Sequence, residues 1–330
     1  KNYFNLICLS KSMKRIFIIF FIVISSCSID TSYDPETYDY EEVEKEILLT
    51  NISFSLIETK EDSFKSIKII QKDYLIENPS TGSQWDVSVY SHKKISEDAP
   101  AVILVPGGIG SKKDLLNHYG TADKEISIVE KMVSEGFIVL IFSAEGRGES
   151  EGEIDYNGYD DQDGLYNLYR FLVSYENVDE EKIGIVSFSY GVAMVSGMLG
   201  RFQPEILYYI EWEGPVNRDY VSTGCTGGVV KEGITCDSED YWVEREALRF
   251  VPYFKIDHLM IVQTEKDHVQ DINQHSLDFN NLAIKYLPWV RVNGVDNSIN
   301  TEYNLENLPV LSEKEEYQET ILEAMKEFTE

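Results

Sequence analysis

Two rhythms of apolar residues run along this chain. From Ile52 to Val89 apolar and polar positions exchange one for one, as in Ile67-Lys68-Ile69 and Val87-Ser88-Val89, with turn residues Asn78-Pro79-Ser80 and Gly82 between them. Period two is the mark of strands with one wetted face. Beyond that point the strands lose their polar alternation: 101–105, 137–142, 183–186, 206–210, 258–263 and 289–292 are nearly continuous apolar runs. Helical spacings lie among them, in 125–134 (Ile126, Val129, Met132, Val133) and 163–174 (Leu165, Leu168, Tyr169, Leu172). Such an interleaving predicts an α/β architecture, a mostly parallel sheet with helices on both faces. A closing helix is expected from Ser312, where Ser312 and Glu315 have capping-box spacing and Tyr317, Ile321, Met325 and Phe328 form an apolar stripe.

One stretch breaks the pattern. Residues 211–257, between what read as the sixth and seventh strands, are too many for an ordinary connection. They carry the aromatic segment Tyr241-Trp242, with Phe250 and Tyr253. This insertion is expected to form a cap over the active-site edge.

The N-terminus follows another logic. Met13-Lys14-Arg15 precede the apolar run Ile16 to Ile24, which has the length of a signal-peptide core and is too short to span a bilayer. It ends Ile24-Ser25-Ser26-Cys27, which resembles the lipobox of bacterial lipoproteins. The resemblance implies cleavage and lipidation at Cys27. With Ser28 in place of an Asp, it also implies an exported, membrane-anchored protein of the outer membrane. A short uncleaved anchor is the alternative. On this reading 1–12 precede the translation start, 13–27 are the signal, 28–50 a polar tether, and 51–330 one globular domain.

Charge and cysteines narrow the partners. The formal net charge is −29, and residues 1–27 hold four of the 29 bases and none of the 58 acids, so the remainder is more acidic still. Such a surface disfavours nucleic acid. Cys225 and Cys236 remain once Cys8 and Cys27 are assigned to the targeting segment. An even pair in an exported chain predicts a disulfide, whereas two Cys without a nearby His do not make a zinc set. No cofactor fingerprint or metal-ligand cluster stands out, so none is expected.

The chemistry centres on Ile185-Val186-Ser187-Phe188-Ser189-Tyr190-Gly191-Val192-Ala193. A buried strand runs into small-x-Ser-x-Gly and then a helix rich in small residues, the requirement of a sharp turn that presents a nucleophilic serine. Upstream, Phe142-Ser143-Ala144-Glu145-Gly146-Arg147-Gly148-Glu149-Ser150-Glu151-Gly152 resembles the Gly-rich loop of α/β-hydrolases, with Ser143 and Glu145 replacing the usual Asp and Arg. Leu104-Val105-Pro106-Gly107-Gly108-Ile109-Gly110 resembles their oxyanion loop. Together with Asp267 in Ile261-Val262-Gln263-Thr264-Glu265-Lys266-Asp267-His268-Val269, these motifs resemble the dienelactone-hydrolase-like and prolyl-oligopeptidase-like branch over about 82–328. The resemblance implies Ser189 as nucleophile, Asp267 as acid, and the amides of Gly108, Ile109 and Tyr190 as oxyanion donors.

The chain departs from that family at the base. Its histidines are His92, His118, His258, His268 and His275, and none follows the last strand. Val292-Asn293-Gly294-Val295-Asp296-Asn297-Ser298 resembles the family ending with Asn297 at the His position, and an amide cannot take a proton at neutral pH. His268, paired with Glu211 or Glu213, is the alternative base. Three readings stay open: an exported, lipid-anchored serine hydrolase acting on an ester or peptide bond; a catalytically degenerate lipoprotein that binds a small molecule or peptide without cleaving it; and a structural lipoprotein whose acidic surface is the working part.

Overall fold

The computed structural model describes residues 51–330 apart from 65, 66, 96, 118–126, 222–224, 226–233, 295, 296 and 313–315. Cys27, the signal segment and the tether therefore lie outside the described residues, as do His118 and Glu315. Among the described residues no helix is long and apolar enough to cross a membrane.

Among the described residues nine strands form one sheet: β1 (Phe54–Phe64), β2 (Ile67–Glu77), β3 (Gln84–His92), β4 (Ala99–Val105), β5 (Ile138–Phe142), β6 (Val178–Phe188), β7 (Ile206–Trp212), β8 (Ile256–Val262) and β9 (Val290–Val292). Their spatial order is β1-β2-β3-β5-β4-β6-β7-β8-β9. The pairings β1–β2, β2–β3 and β3–β5 are antiparallel, and every later pairing is parallel. Because the alternating lead-in folds into three strands, the insertion falls between the seventh and eighth strands rather than the sixth and seventh. The β5–β4–β6 crossover puts β4 and β6 at the centre, where the ends of parallel strands meet a ligand crevice.

Alternation along β4 shows why both faces had to be covered. Ala101, Ile103 and Val105 enter one core with the helices Tyr159–Val173, Gly191–Phe202 and Gln274–Ala283. Val102 and Leu104 enter a second core with the helices Lys112–Asn117, Ile128–Ser134 and Tyr317–Thr329. A strand buried on both faces reads as a continuous apolar run, which is what the sequence shows.

Three helices differ from expectation at their ends or altogether. The first turn of Tyr159–Val173 contains Asp161 and Gln162, polar yet buried, so apolar spacing cannot register it. The closing helix begins at Tyr317, and its N-cap Glu316 makes no side-chain cap bond; Ser312 Oγ instead donates to Glu316 Oε1 at 3.4 Å. Its stripe of Tyr317, Ile321, Met325 and Phe328 is buried. A complete capping box stands at Ser127 and Glu130. Gln274–Ala283 shows no apolar period in the sequence, because His275, Ser276 and Asn280 fill inward positions.

Candidate active site

The strand-to-helix turn after β6 holds Ser189 at φ 49°, in the left-handed region that a non-glycine residue adopts only when its surroundings impose it. Three contacts impose it here. Ser189 N donates to Trp212 O at 2.8 Å, tying the turn to the end of β7. Ser187 shares a buried hydrogen bond of 2.8 Å with the Tyr209 hydroxyl. A Cβ on Gly191 would lie 2.9 Å from Pro106 O, so only glycine lets the end of β4 pass this close. The helix Gly191–Phe202 starts immediately behind the serine, which puts the positive end of its dipole at the turn.

Ser189 Oγ lies 2.9 Å from His268 Nε2, and His268 Nδ1 lies 2.8 Å from Glu213 Oε2. Glu213 follows β7 directly and is also left-handed, at φ 48°. Its other oxygen accepts from Thr264 N at 3.0 Å, from the Thr264 hydroxyl and from Gln263 Nε2 at 3.4 Å. The glutamate is therefore fully buried and held by donors from the end of β8. Behind the imidazole, the Trp212 ring stacks at 4.8 Å, and Tyr317 stacks on Trp212 at 4.6 Å.

Asp267 takes a different place from the one its motif implied. Its Oδ1 stands 3.5 Å from His268 Nδ1, well beyond the Glu213 contact, and accepts instead from Val269 N and Gln270 N at 2.7 Å each. Its Oδ2 lies 3.1 Å from His275 Nε2. Burial opposes the charge on Asp267, but the His275 bond and the Gln270 and Val269 amides outweigh it and bring the carboxyl down to about 2. His275 Nδ1 faces Gly214 O at 3.0 Å, so both ring nitrogens meet acceptors. Asp267 thus folds the turn that aims its neighbour His268 at Ser189.

Asn297 is not part of this cluster either. Its Nδ2 donates to Val292 O at 2.8 Å, closing the turn after β9. The imidazole arrives from the loop after β8, where the turn at Asp267 throws the next side chain back toward β6. Glu211, two residues before Glu213, takes a different partner. It is fully buried and takes the Gly214 amide, and burial pushes its carboxyl well above the usual range.

Gly108, Tyr156, Ser189, Tyr190, Glu213, Pro215, Val221, Val269 and Gln270 line a cavity of about 140 Å³. Ile109, beside Gly108, is exposed at its rim. Over it lies the insertion, with helices Glu239–Val243 and Ala247–Phe250 and a Cys225–Cys236 disulfide. Trp242 and Val221 of the insertion pack on Tyr190, beside Ser189, and on Ala193 of the helix that follows. Ligand atoms of Glu213, Asp267 and His268 lie within 4.8 Å of one another, a spacing a cation could bridge. Each is already engaged in the hydrogen bonds above, which account for the arrangement.

Glu213 had a signal in the sequence, a Glu-x-Glu pair ending an apolar strand, where an acid is seldom buried without a partner. Nothing in the sequence marked His275, Tyr156 or Arg245.

Comparison with known proteins gives the family and the fold. The model of X-Pro dipeptidyl-peptidases (S15 family) matches residues 74–260, which include Ser189 and Glu213 and end before His268. A search of curated proteins gave no match. Among solved structures, an acetyl xylan esterase from Paenibacillus sp. R4 superimposes with a TM-score of 0.57 at 14% identity, over 86% of this chain and 92% of that one. An S-formylglutathione hydrolase from Agrobacterium tumefaciens gives 0.56 at 12% identity, over 83% and 98%. Est1E from Butyrivibrio proteoclasticus, bound to ferulic acid, gives 0.53 at 15% identity, over 76% and 96%. At these identities the likeness establishes the shared α/β-hydrolase fold.

Proposed function

The chain belongs to the X-Pro dipeptidyl-peptidase (S15) family and is a serine hydrolase, esterase- or peptidase-like, and we propose that Ser189, His268 and Glu213 are its catalytic triad, cleaving an ester or peptide bond. The observation that carries this is the unbroken line from Ser189 Oγ through His268 to Glu213 Oε2, at 2.9 and 2.8 Å.

The steps follow from the donors and acceptors. Glu213 accepts the Nδ1 proton of His268 and so leaves Nε2 as the acceptor facing Ser189. As Ser189 Oγ bonds to the substrate carbonyl carbon, its proton passes to Nε2, and the carbonyl π pair becomes an oxyanion. The amides of the Gly108–Ile109 segment and of Tyr190, at the head of a helix, face that charge. Collapse expels the alcohol or amine, which takes the proton from Nε2, and an acyl-Ser189 ester remains. Water then attacks by the same route and frees the acid.

His268 supplies the base that the position of Asn297 lacks, which supports cleavage over a binding-only role. The test is labelling with a fluorophosphonate. The wild type should lose its label and its ester turnover on Ser189→Ala, and a wild type that takes no label at Ser189 would overturn the triad.

The same proposal places the enzyme outside the cytoplasm, lipidated at Cys27. The support is the run from Met13 to Cys27 together with a disulfide that suits an oxidising compartment. Cys27→Ser should move the protein from the membrane to the soluble fraction. Unchanged membrane retention would refute the anchor.

A further inference from the structure

We propose that Arg245, in the insertion, is a positioning residue: it holds Tyr156 as a fixed wall of the substrate pocket and thereby limits the size of the acyl group admitted.

Tyr156 and Asn157 are consecutive non-glycine residues in the left-handed region, at φ 64° and 69°. Each such residue costs about 1 kcal/mol or more, so the pair persists only where neighbours enforce it. Tyr156 shares the pocket with Ser189, its ring 5.0 Å from that of Tyr190. The strain therefore lies in a wall of the site.

Arg245 supplies the enforcement. A guanidinium has five N–H groups, and all five are used here. Nε donates to Tyr156 O at 3.2 Å, and Nη2 donates to Asp155 O at 2.6 Å and Asp155 Oδ1 at 2.7 Å. Nη1 donates to Tyr241 O at 2.7 Å and Glu244 Oε2 at 3.0 Å. The side chain is 4% exposed, and its Cζ lies 3.8 Å from the Tyr241 ring centroid. One side chain thus fastens the loop bearing Tyr156 to the insertion helix ninety residues further along the chain.

Two further contacts point the same way. A Cβ on Gly158 would come within 2.2 Å of Arg245 Nη2, so this glycine is the seat of the guanidinium. Asn157 is braced from beneath: its N donates to Asp161 Oδ2 at 2.7 Å and its Nδ2 to Tyr190 O at 3.2 Å. The wall is consequently registered to the residue that follows the nucleophile. Lysine, with three donors on a point charge, cannot reproduce the fork.

The inference rests on the triad reading, and the experiment separates the two. Full-length Arg245→Lys, Gly158→Ala and Tyr156→Ala are assayed on p-nitrophenyl acetate, butyrate and octanoate, and for labelling of Ser189 by a small fluorophosphonate. Arg245→Lys and Gly158→Ala should label within about threefold of wild type, while kcat/KM for octanoate relative to acetate rises about tenfold, carried mainly by KM. Tyr156→Ala should shift the ratio equally, and adding Arg245→Lys to it should change nothing more. An unchanged ratio, or an equal loss on every ester and on labelling, would overturn the proposal. Failure of the wild type to label would refute the triad instead. Hydrogen exchange on the wild type needs no variant: the amide of Asn157 should be strongly protected, and fast exchange there would rule out a clamped wall.

Discussion

Glu213 and His268 stand 55 residues apart in the chain, yet meet at 2.8 Å, closer than His268 comes to its own neighbour Asp267 at 3.5 Å. Two acids thus flank one imidazole, and each has a separate task. Glu213→Gln should lower kcat by about 10³–10⁴-fold, because the tautomer and the imidazolium lose their partner, and should also lower the melting temperature, because both buried oxygens accept hydrogen bonds that an amide NH2 cannot. Asp267→Asn should chiefly lower stability, with a smaller loss of kcat. Steady-state kinetics beside thermal melts of the two variants check this, and the reverse pattern would return the acid to Asp267.

Asn297→His offers the opposite test. A histidine there should leave kcat/KM within about threefold of wild type, since the base position is already filled. Losing the bond to Val292 O should cost about 1 kcal/mol. A tenfold gain in ester turnover would show that the imidazole belongs after β9.

The Asp267–His275 contact predicts how stability depends on acid. The folded carboxyl sits at about 2, below its ordinary 3.8. Its contribution is therefore complete above pH ~4 and is lost as pH falls through about 2. Urea unfolding of wild type and Asp267→Asn should differ by about 2 kcal/mol at pH 6 and converge near pH 2. A difference that stays constant across that range would contradict the pairing.

The disulfide should matter locally. Cys225 and Cys236 close a short loop, with a sequence separation of 11, which is worth roughly 2–3 kcal/mol to the segment it restrains. Reductant should lower the melting temperature of the wild type and leave a Cys225→Ser/Cys236→Ser variant unmoved. KM should respond more than kcat, because the loop sits in the insertion and not in the triad.

The sheet, the nucleophile turn and the insertion were legible because each is written locally. Continuous apolar runs, small-x-Ser-x-Gly and an overlong connection need no knowledge of distant residues. The choice of acid and base was not, since it depends on which way two loops turn: the motifs point first to Asp267 and to Asn297 at the histidine position, and offer His268 with Glu211 or Glu213 only as the alternative. Asp267 matched a motif, but its carboxylate folds back on Val269 and Gln270 and turns toward His275. Glu213, marked only by the Glu-x-Glu ending of an apolar strand, reaches His268 through a left-handed backbone that no pattern announces. Arg245 was invisible for the same reason: four of its five acceptors lie on residues it meets only after folding, or on carbonyl groups, which carry no residue identity.

The aromatic pile behind the base has an optical consequence. With His268 lying flat on Trp212, any positive charge on the imidazole sits against the indole face, where it quenches fluorescence. Trp212 is then a built-in reporter. Its emission should dim each time the imidazolium forms, so the proton's stay on His268 becomes visible in stopped flow without a dye.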